Sequence, residues 1–285
     1  MKHEEEEWTE VISSEMPWWN LKLKEVWLYR DLVKLFVWRD FVAAYKQTIL
    51  GPVWLVLNPL ISSVLYTIMF GVIANINMEG SPALLFQLCS MTSWNFFLRN
   101  FSATQATFLG NAGIFSKVYF PRLTVPIASV LTNIIQFSIL IGIYLIAFFG
   151  YKYILKVDVQ MNALGLLSLP LLLLLSSVLG VGLGAIVAAF TTKYRDFGIF
   201  IGYAIQVLMY GSAVVYPLSF VKAPYKEWLM YNPIVPLMEG FRNAFLNIGS
   251  LDFTNLLYTA VWAVIAFFIG VILFNRTERD FIDTV

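Results

Sequence analysis

The feature that most constrains this chain is a series of apolar runs, several of which approach the length that a helix needs to cross a lipid bilayer. That length is about 20 residues, because the hydrocarbon core is about 30 Å thick. Apolar residues make up 59% of the chain and charged residues only 13%, which is too apolar for a soluble domain. We therefore predict an all-α integral membrane protein with six transmembrane helices. The predicted crossings are residues 53–74, 83–109, 125–149, 164–190, 199–216 and 256–274.

The segment before the first crossing predicts a helix that lies on the membrane surface. Its apolar face includes Trp38, yet Arg39 and Lys46 lie on or beside that face. A soluble core would reject these charges, whereas a membrane interface accepts them because long cationic side chains extend toward the headgroups. We expect an N-terminal amphipathic interface helix, and Gly51-Pro52 breaks it directly before the first crossing.

The segment between the fifth and sixth crossings is apolar but cannot be one straight helix. Pro224, Pro233 and Pro236 each remove a backbone amide donor. Non-helical backbone at membrane depth is tolerated only where protein covers it or where it lines a cavity. We therefore predict a re-entrant helical hairpin here. Glu239 and Arg242 are three residues apart and can form an ion pair within it.

The distribution of Lys and Arg predicts the orientation. With six crossings and a cytoplasmic N-terminus, 13 of these residues lie in cytoplasmic segments and 5 in outside segments. Cytoplasmic loops carry an excess of Lys and Arg in membrane proteins. We therefore expect a multi-pass protein with both termini in the cytoplasm.

The residue inventory excludes several kinds of chemistry. The chain has no GxxxxGK[ST] phosphate-binding loop, and His3 and Cys89 are its single histidine and cysteine. We therefore expect no catalytic residue, no metal site and no cofactor bound by this chain. Carboxylates are almost absent from the predicted crossings, which disfavours an ion-coupled carrier. A transporter driven by ATP, with its ATPase on a separate chain, is favoured; an ion-coupled carrier or flippase without an ATPase is the alternative of a different class.

Several motifs together resemble the type-2 ABC exporter permeases of the polysaccharide and O-antigen export family. The stretch RDFVAAYKQTILGPVWLVLNPL from Arg39 resembles the start of these permeases. Further similar motifs are FPR at Phe120–Arg122, KYRDFG at Lys193–Gly198, YNPIVPLMEGFR at Tyr231–Arg242 and the closing ERDFIDTV. They follow one another along the whole chain, so the resemblance is more specific than any single motif.

The resemblance implies a function and a set of partners. It implies a homodimeric permease in the bacterial cell inner membrane, bound to two copies of a cytosolic ABC ATPase that holds ATP and Mg. The implied substrate is a lipid-linked glycan, with O-antigen on undecaprenyl diphosphate expected first and teichoic acid or capsular polysaccharide as the alternative. No nucleic acid is expected as a partner. We expect residues 1–53 to form the cytoplasmic tail and interface helix, and residues 54–285 one permease domain with an external gate at about 217–253.

The resemblance also implies roles for particular residues. Residues 110–122 resemble a cytosolic coupling helix that contacts the ATPase, although an ordinary loop is the alternative. The implied coupling residues are Ile114, Phe115, Lys117, Tyr119 and Arg122. The implied external-gate residues are Pro233, Pro236, Glu239 and Arg242.

Two helix faces are candidates for the translocation path. Aromatic rings with scattered polar groups bind the apolar faces and hydroxyl edges of a glycan weakly, so that it can slide. Such residues recur at helical spacing on the first and fifth crossings, although ordinary packing is the alternative. The predicted channel-lining residues on these faces are Ser62, Tyr66, Phe70, Tyr203, Gln206 and Tyr210.

Three positively charged side chains are candidates for contact with the substrate or with lipid. Arg99 lies inside the second crossing, where a charge normally faces a cavity or a partner; it is predicted to line the channel or to extend to the membrane surface. Arg39 and Lys46 are predicted to attract the diphosphate headgroup of a carrier lipid, with bulk anionic lipid as the alternative.

Overall fold

A computed structural model describes residues 23–43, 46, 48–115, 117–118, 120–194 and 196–282. Within these ranges the regular structure is entirely helical. The helices are α1 (Leu23–Leu28), α2 (Arg30–Ala43), α3 (Val53–Tyr66), α4 (Ala83–Gln105), α5 (Thr107–Phe115), α6 (Thr124–Phe149), α7 (Ala163–Leu167), α8 (Leu169–Lys193), α9 (Phe197–Tyr210), α10 (Tyr225–Met230), α11 (Val235–Leu246) and α12 (Phe253–Ile282). π-helical turns prolong α3 over Thr67–Ile73 and α6 over Gly150–Ile154, and a 3-10 turn covers Leu218–Phe220.

Four helical stretches in the described part of the chain are long and apolar enough to cross a membrane. They are Val53–Ile73, Thr124–Ile154, Leu169–Lys193 and Phe253–Thr277. These stretches agree with the predicted first, third, fourth and sixth crossings. The predicted fifth crossing contains α9, a shorter apolar helix of 14 residues. The predicted second crossing contains α4, which has 23 residues but is less apolar than the four, so six crossings remain a prediction.

The low hydropathy of α4 is explained by its position. This helix packs against α3, α6, α8 and α11, and polar side chains such as Gln87, Ser90 and Asn100 are buried in those contacts. Because protein rather than lipid surrounds most of α4, its polar groups find partners on neighbouring helices. The length and hydropathy criterion that identifies the four other stretches therefore does not identify α4.

Helix α8 holds α4 and α12 together through glycines. A Cβ atom at Gly184 would lie 2.4 Å from the backbone oxygen of Phe101 in α4, and one at Gly182 would lie 2.6 Å from the backbone nitrogen of Phe267 in α12. The small-residue stretch GVGLGAIVAA from Gly180 predicts such close packing, and the structure confirms it. A larger residue at either glycine would push the helices apart.

Helix α2 packs against α6. Phe36 is buried, and its ring centroid is 5.5 Å from that of Phe120. Trp38, on the predicted apolar face, is 70% exposed, so this face is left uncovered by the described residues. Gly51 has a left-handed φ of 52°, which glycine adopts without steric cost and which redirects the chain into α3. A position on a membrane surface remains a prediction.

The segment after α9 is unwound. Helix α9 ends at Tyr210, six residues before the predicted end of the fifth crossing, and residues 211–217 are not helical. The two short helices α10 and α11 then follow in the segment that the prolines were predicted to interrupt. Asn247, with φ of 54°, ends α11. The re-entrant placement of these helices remains a prediction.

Candidate functional site

The unwound segment after α9 is held by a buried arginine. Arg242 on α11 is 1% exposed. Its Nη2 donates hydrogen bonds to the backbone oxygens of Ala213 at 2.5 Å and Val214 at 2.7 Å, and its Nε donates to Ser90 Oγ on α4 at 3.0 Å. One side chain therefore joins three parts of the chain. It also satisfies two carbonyl groups of the non-helical segment, which have no helical partners.

The charge of this arginine is balanced inside the protein. Arg242 Nη1 donates to Glu239 Oε1 at 2.9 Å, and both side chains are buried. The guanidinium carbon also lies 4.2 Å from the ring centroid of Phe86 on α4. The ion pair that the i, i+3 spacing permits is therefore present. Removing either partner would leave an uncompensated charge in a buried place.

Other side chains complete the attachment of the unwound segment. Gln87 Nε2 on α4 donates to the backbone oxygen of Val215 at 2.8 Å. Asn232 Nδ2 donates to the backbone oxygen of Gly211 at 3.0 Å and to Ser212 Oγ at 2.9 Å. Four carbonyl groups of this segment, those of Gly211, Ala213, Val214 and Val215, thus have side-chain donors, as non-helical backbone away from water requires.

Glu79, in the loop between α3 and α4, contacts both ends of the segment that contains α10 and α11. It accepts a hydrogen bond from Ser219 Oγ at 2.5 Å and another from the backbone nitrogen of Gly249 at 3.1 Å. The sequence contains Glu79 in a short polar loop and gives no sign of these contacts, because its partners are more than a hundred residues away.

The two predicted gate prolines have ordinary structural surroundings. Pro236 is buried in the first turn of α11, where a missing amide hydrogen costs nothing. The backbone oxygen of Pro233 accepts a hydrogen bond from Thr259 Oγ1 on α12 at 2.9 Å. These contacts attach α11 to the bundle, and a role of either proline in a gate remains a prediction.

The two aromatic faces approach each other at one point. The side chain of Tyr66 on α3 lies close to that of Tyr210 on α9. The Tyr66 ring centroid is also 6.1 Å from that of Phe70. Tyr203 and Gln206 on α9 are exposed, and Ser62 on α3 is half-buried. The structure thus brings the tyrosine pair together and leaves the rest of the α9 face uncovered by the described residues.

Arg99 lies on the α6 side of α4. It is half-buried and donates a hydrogen bond from Nη1 to the side-chain oxygen of Gln136. On the next residue of α4, Asn100 Oδ1 accepts a hydrogen bond from Asn133 Nδ2 of α6 at 2.9 Å. Two polar pairs therefore connect these helices within the bundle.

The predicted headgroup residues have different surroundings. Arg39 forms an ion pair with Asp40 at 2.8 Å, lies 4.5 Å from the Phe36 ring centroid, and donates to Asn111 Oδ1 on α5 at 3.3 Å. Asp40 thus offsets part of the Arg39 charge. Lys46 is exposed. Diphosphate binding by the two residues remains a prediction.

The predicted coupling residues surround α5 and the chain that follows it. Phe115, at the end of α5, is half-buried with its ring centroid 5.5 Å from that of Phe120. Arg122 is buried, with its guanidinium carbon 5.0 Å from the Phe115 ring centroid. Lys117 is exposed. Ile114 packs with the same aromatic group, and Tyr119 lies outside the described residues.

Several polar residues of this arrangement were not predicted from the sequence. Gln136 and Asn133 lie in the largely apolar α6, and Ser90 is one of several polar residues in α4. A polar residue in a membrane-spanning helix is expensive unless it has a partner. That cost is the signal that could have identified them. The described residues contain no group of three or more His, Cys, Asp or Glu that could hold a metal ion.

Comparisons with known proteins find a family model and several relatives that match this sequence. The sequence model described as "ABC-2 type transporter" matches residues 31–246. A Klebsiella pneumoniae protein named O-antigen export system permease protein RfbA is 22% identical over 251 residues, which cover 88% of this chain and 93% of the relative.

Two further relatives are similar over nearly their whole lengths. A Myxococcus xanthus protein, also named O-antigen export system permease protein RfbA, is 23% identical over 265 residues, which cover 92% of this chain and 98% of the relative. The polysialic acid transport protein KpsM of Escherichia coli is 22% identical over 242 residues, which cover 85% of this chain and 91% of the relative.

Proposed function

This chain belongs to the ABC-2 type transporter family, and from that premise we propose that it is the membrane subunit of an ATP-driven exporter of lipid-linked polysaccharide. The family match over residues 31–246 carries the proposal. The relatives named as O-antigen export permeases support polysaccharide as the exported class. We propose undecaprenyl-diphosphate-linked O-antigen as the substrate, and the chain itself performs no covalent chemistry.

The proposal includes a six-crossing topology in the bacterial inner membrane with both termini in the cytoplasm. Four long apolar helices support it, and so do a central α4 of 23 residues and an apolar α9. The excess of Lys and Arg in alternate segments supports the orientation. In this topology α2 lies at the cytoplasmic interface, and the re-entrant pair α10 and α11 lies at the external side.

Energy reaches the permease from two copies of a partner ATPase that bind ATP and Mg. We propose that residues 110–122 contact this ATPase, with Ile114, Phe115, Lys117, Tyr119 and Arg122 as the coupling residues. Two observations support this assignment. Lys117 is exposed, so its charge is accessible to a partner chain, and Arg122 packs against the aromatic ring of Phe115, which holds this part of the chain in place.

The proposed path uses the homodimer, with α3 and α9 of each protomer lining it. Tyr203 and Gln206 are exposed, and Tyr66 and Tyr210 are neighbours. These residues support this path, because aromatic and polar groups can both contact a sliding glycan. Arg242 and Glu239 hold the external gate segment in one shape. Arg39 and Lys46 receive the lipid headgroup at the cytoplasmic interface.

One relative favours a second candidate substrate. The name of KpsM specifies polysialic acid transport, so a capsular polysaccharide is the alternative cargo. Teichoic acid export is a further member of the same class. O-antigen, capsular polysaccharide and teichoic acid are all compatible with the same architecture and with a partner ATPase.

Purification of the chain from its own host membrane tests the function. We expect an ABC ATPase chain to co-purify in equal amount, and vesicles that contain both chains to move a lipid-linked glycan only when ATP is present. Vesicles without the ATPase are the control. Transport that ignores ATP but responds to a proton gradient would contradict the proposal and favour an ion-coupled carrier.

A further inference from the structure

Arg99 is a charge within the helical bundle that no described carboxylate neutralises. Its hydrogen-bond partner, the side-chain amide of Gln136, is neutral. Lys34, Arg39 and Arg242, in contrast, each form an ion pair with a carboxylate. Arginine stays protonated in proteins, so its positive charge remains uncompensated in a place where such a charge is costly and usually functional.

The position of this charge is well inside the apolar part of the bundle. Gln136 lies about 18 Å along α6 from Thr124, its first residue. Helix α6 and its π-helical extension form one of the four stretches that are apolar enough to cross a membrane. The partner of Arg99 is therefore near the middle of a predicted crossing and not at its end.

Arg99 also belongs to an uncovered stripe on a helix that is otherwise largely buried. Residues at i, i+4, i+7 and i+11 share one face of a helix. On α4 this face is half-buried or exposed at Asn95, Arg99 and Ser102, and the chain beyond the end of α4 is exposed at Ala106 and Gly110. The neighbouring faces of α4 are covered by α3, α6, α8 and α11.

The end of the stripe at Gly110 lies next to helix α2. Asn111, the residue after Gly110, accepts the hydrogen bond from Arg39 at 3.3 Å. The uncovered face of α4 therefore leads from the place where α2 meets α5 to the guanidinium of Arg99. The distance from the end of α4 at Gln105 to Arg99 is about 9 Å along the helix.

We propose that Arg99, oriented by Gln136, is an intramembrane binding position for the phosphate groups of the lipid-linked substrate. This inference rests on the proposed function. A phosphate is expensive to move through hydrocarbon, and a planar guanidinium binds it through charge-assisted hydrogen bonds. One arginine binds weakly enough to release the group again, as a transport path requires. The Gln136 bond fixes the side chain in this place instead of at the membrane surface.

Binding to the purified full-length chain in phosphatidylcholine nanodiscs tests the site. The probe is farnesyl diphosphate, and phosphatidylglycerol is the competitor that represents a plain anionic lipid. We expect Arg99→Met to weaken binding of the probe about tenfold or more, and Arg99→Lys, which keeps the charge but not the planar guanidinium, to weaken it less. Lys152→Gln, which removes an exposed charge at the far end of α6, is the matched control and is expected to bind as the wild type does.

Three results would overturn the site. They are unchanged binding in Arg99→Met, equal loss in Arg99→Lys and Arg99→Met although both variants fold, and equal affinity of the wild type for phosphatidylglycerol. Arg99→Gln replaces Arg99→Met if the latter does not fold. Export is measured separately with the ATPase present. A wild type that binds the probe through Arg99 but exports no glycan would contradict the proposed function, whereas export with binding that ignores Arg99 would overturn the site alone.

Discussion

Arg242 and Arg99 are both arginines inside the helical bundle, but the protein surrounds them in opposite ways. Arg242 is 1% exposed, is paired with Glu239, and donates to two backbone carbonyls and a serine. Arg99 is half-buried and donates to the neutral amide of Gln136. One arginine has its charge balanced and its donors occupied, while the other has a positive charge that faces an uncovered stripe.

The difference separates a structural role from a binding role. A saturated arginine holds a fixed conformation, and its loss leaves an unpaired carboxylate and unsatisfied carbonyls behind. An uncompensated arginine can still attract an external anion, and its loss leaves few groups without partners. Substitutions at the two positions are therefore expected to affect different measurements.

The largest expected effect is the loss of stability in Arg242→Met. We expect the free energy of unfolding to fall by about 3–5 kcal/mol, because Glu239 becomes a buried charge without a partner. The measurement is the thermal midpoint of the purified protein in detergent. The control is Lys226→Gln, which removes an exposed charge on α10. An unchanged midpoint in Arg242→Met would mean that the network does not hold the segment.

Removing both members of the ion pair is expected to cost less than removing Arg242 alone. In the double variant Glu239→Leu with Arg242→Met no buried charge remains, so we expect stability to recover by about 1 kcal/mol or more. Recovery stays incomplete because the carbonyls of Ala213 and Val214 still lack their donor. A midpoint below that of Arg242→Met would show that the carboxylate stabilises the unwound segment by itself.

Arg99→Met is expected to change stability much less than Arg242→Met. The lost hydrogen bond goes to a neutral group and the site is partly open, so we expect a loss of about 1 kcal/mol or less. The same thermal midpoint measures it. A loss as large as that of Arg242→Met would remove the contrast between the two arginines and would make Arg99 a structural residue.

The smallest expected effect concerns an exposed ion pair. Lys34 donates to Asp31 at 2.8 Å, and this hydrogen bond lowers the pKa of Asp31 below its usual 3.8. A lowered folded-state pKa contributes stability above pH 3.8 that is lost as the pH falls through the folded value. Both side chains are exposed to water, which screens them, so Asp31→Asn is expected to leave the thermal midpoint at pH 7 unchanged. A clear fall would show that α2 depends on this pair.

Much of the fold could be predicted from the sequence, because a membrane imposes a simple length and composition rule. Four helices follow that rule closely. Helix α4 departs from it since its neighbours, not lipid, satisfy its polar groups. The sequence did not predict that α9 ends at Tyr210, because residues 211–216 are largely apolar. The carbonyls of this unwound segment accept hydrogen bonds from the side chains of Arg242, Gln87 and Asn232, which lie elsewhere in the chain.

The candidate site was less predictable, and the reason is sequence distance. The Glu239–Arg242 pair could be predicted because three residues on one helix are neighbours in space. The partners of Arg242 on α4 and after α9, and the partner of Arg99 on α6, lie far along the chain and follow no local spacing. The assignment of residues to a channel, a coupling surface or a gate stays a prediction.

The sequence by itself determined that this chain forms apolar helices, that close packing occurs along the Gly180 stretch, and that the segment after the fifth run breaks at its prolines. These features follow from residue type and local spacing. Only the tertiary structure decided which of the two arginines is neutralised and which is left uncompensated. The arginine side chain is the same at both positions, and the difference between them comes from groups that folding brings together from distant parts of the chain.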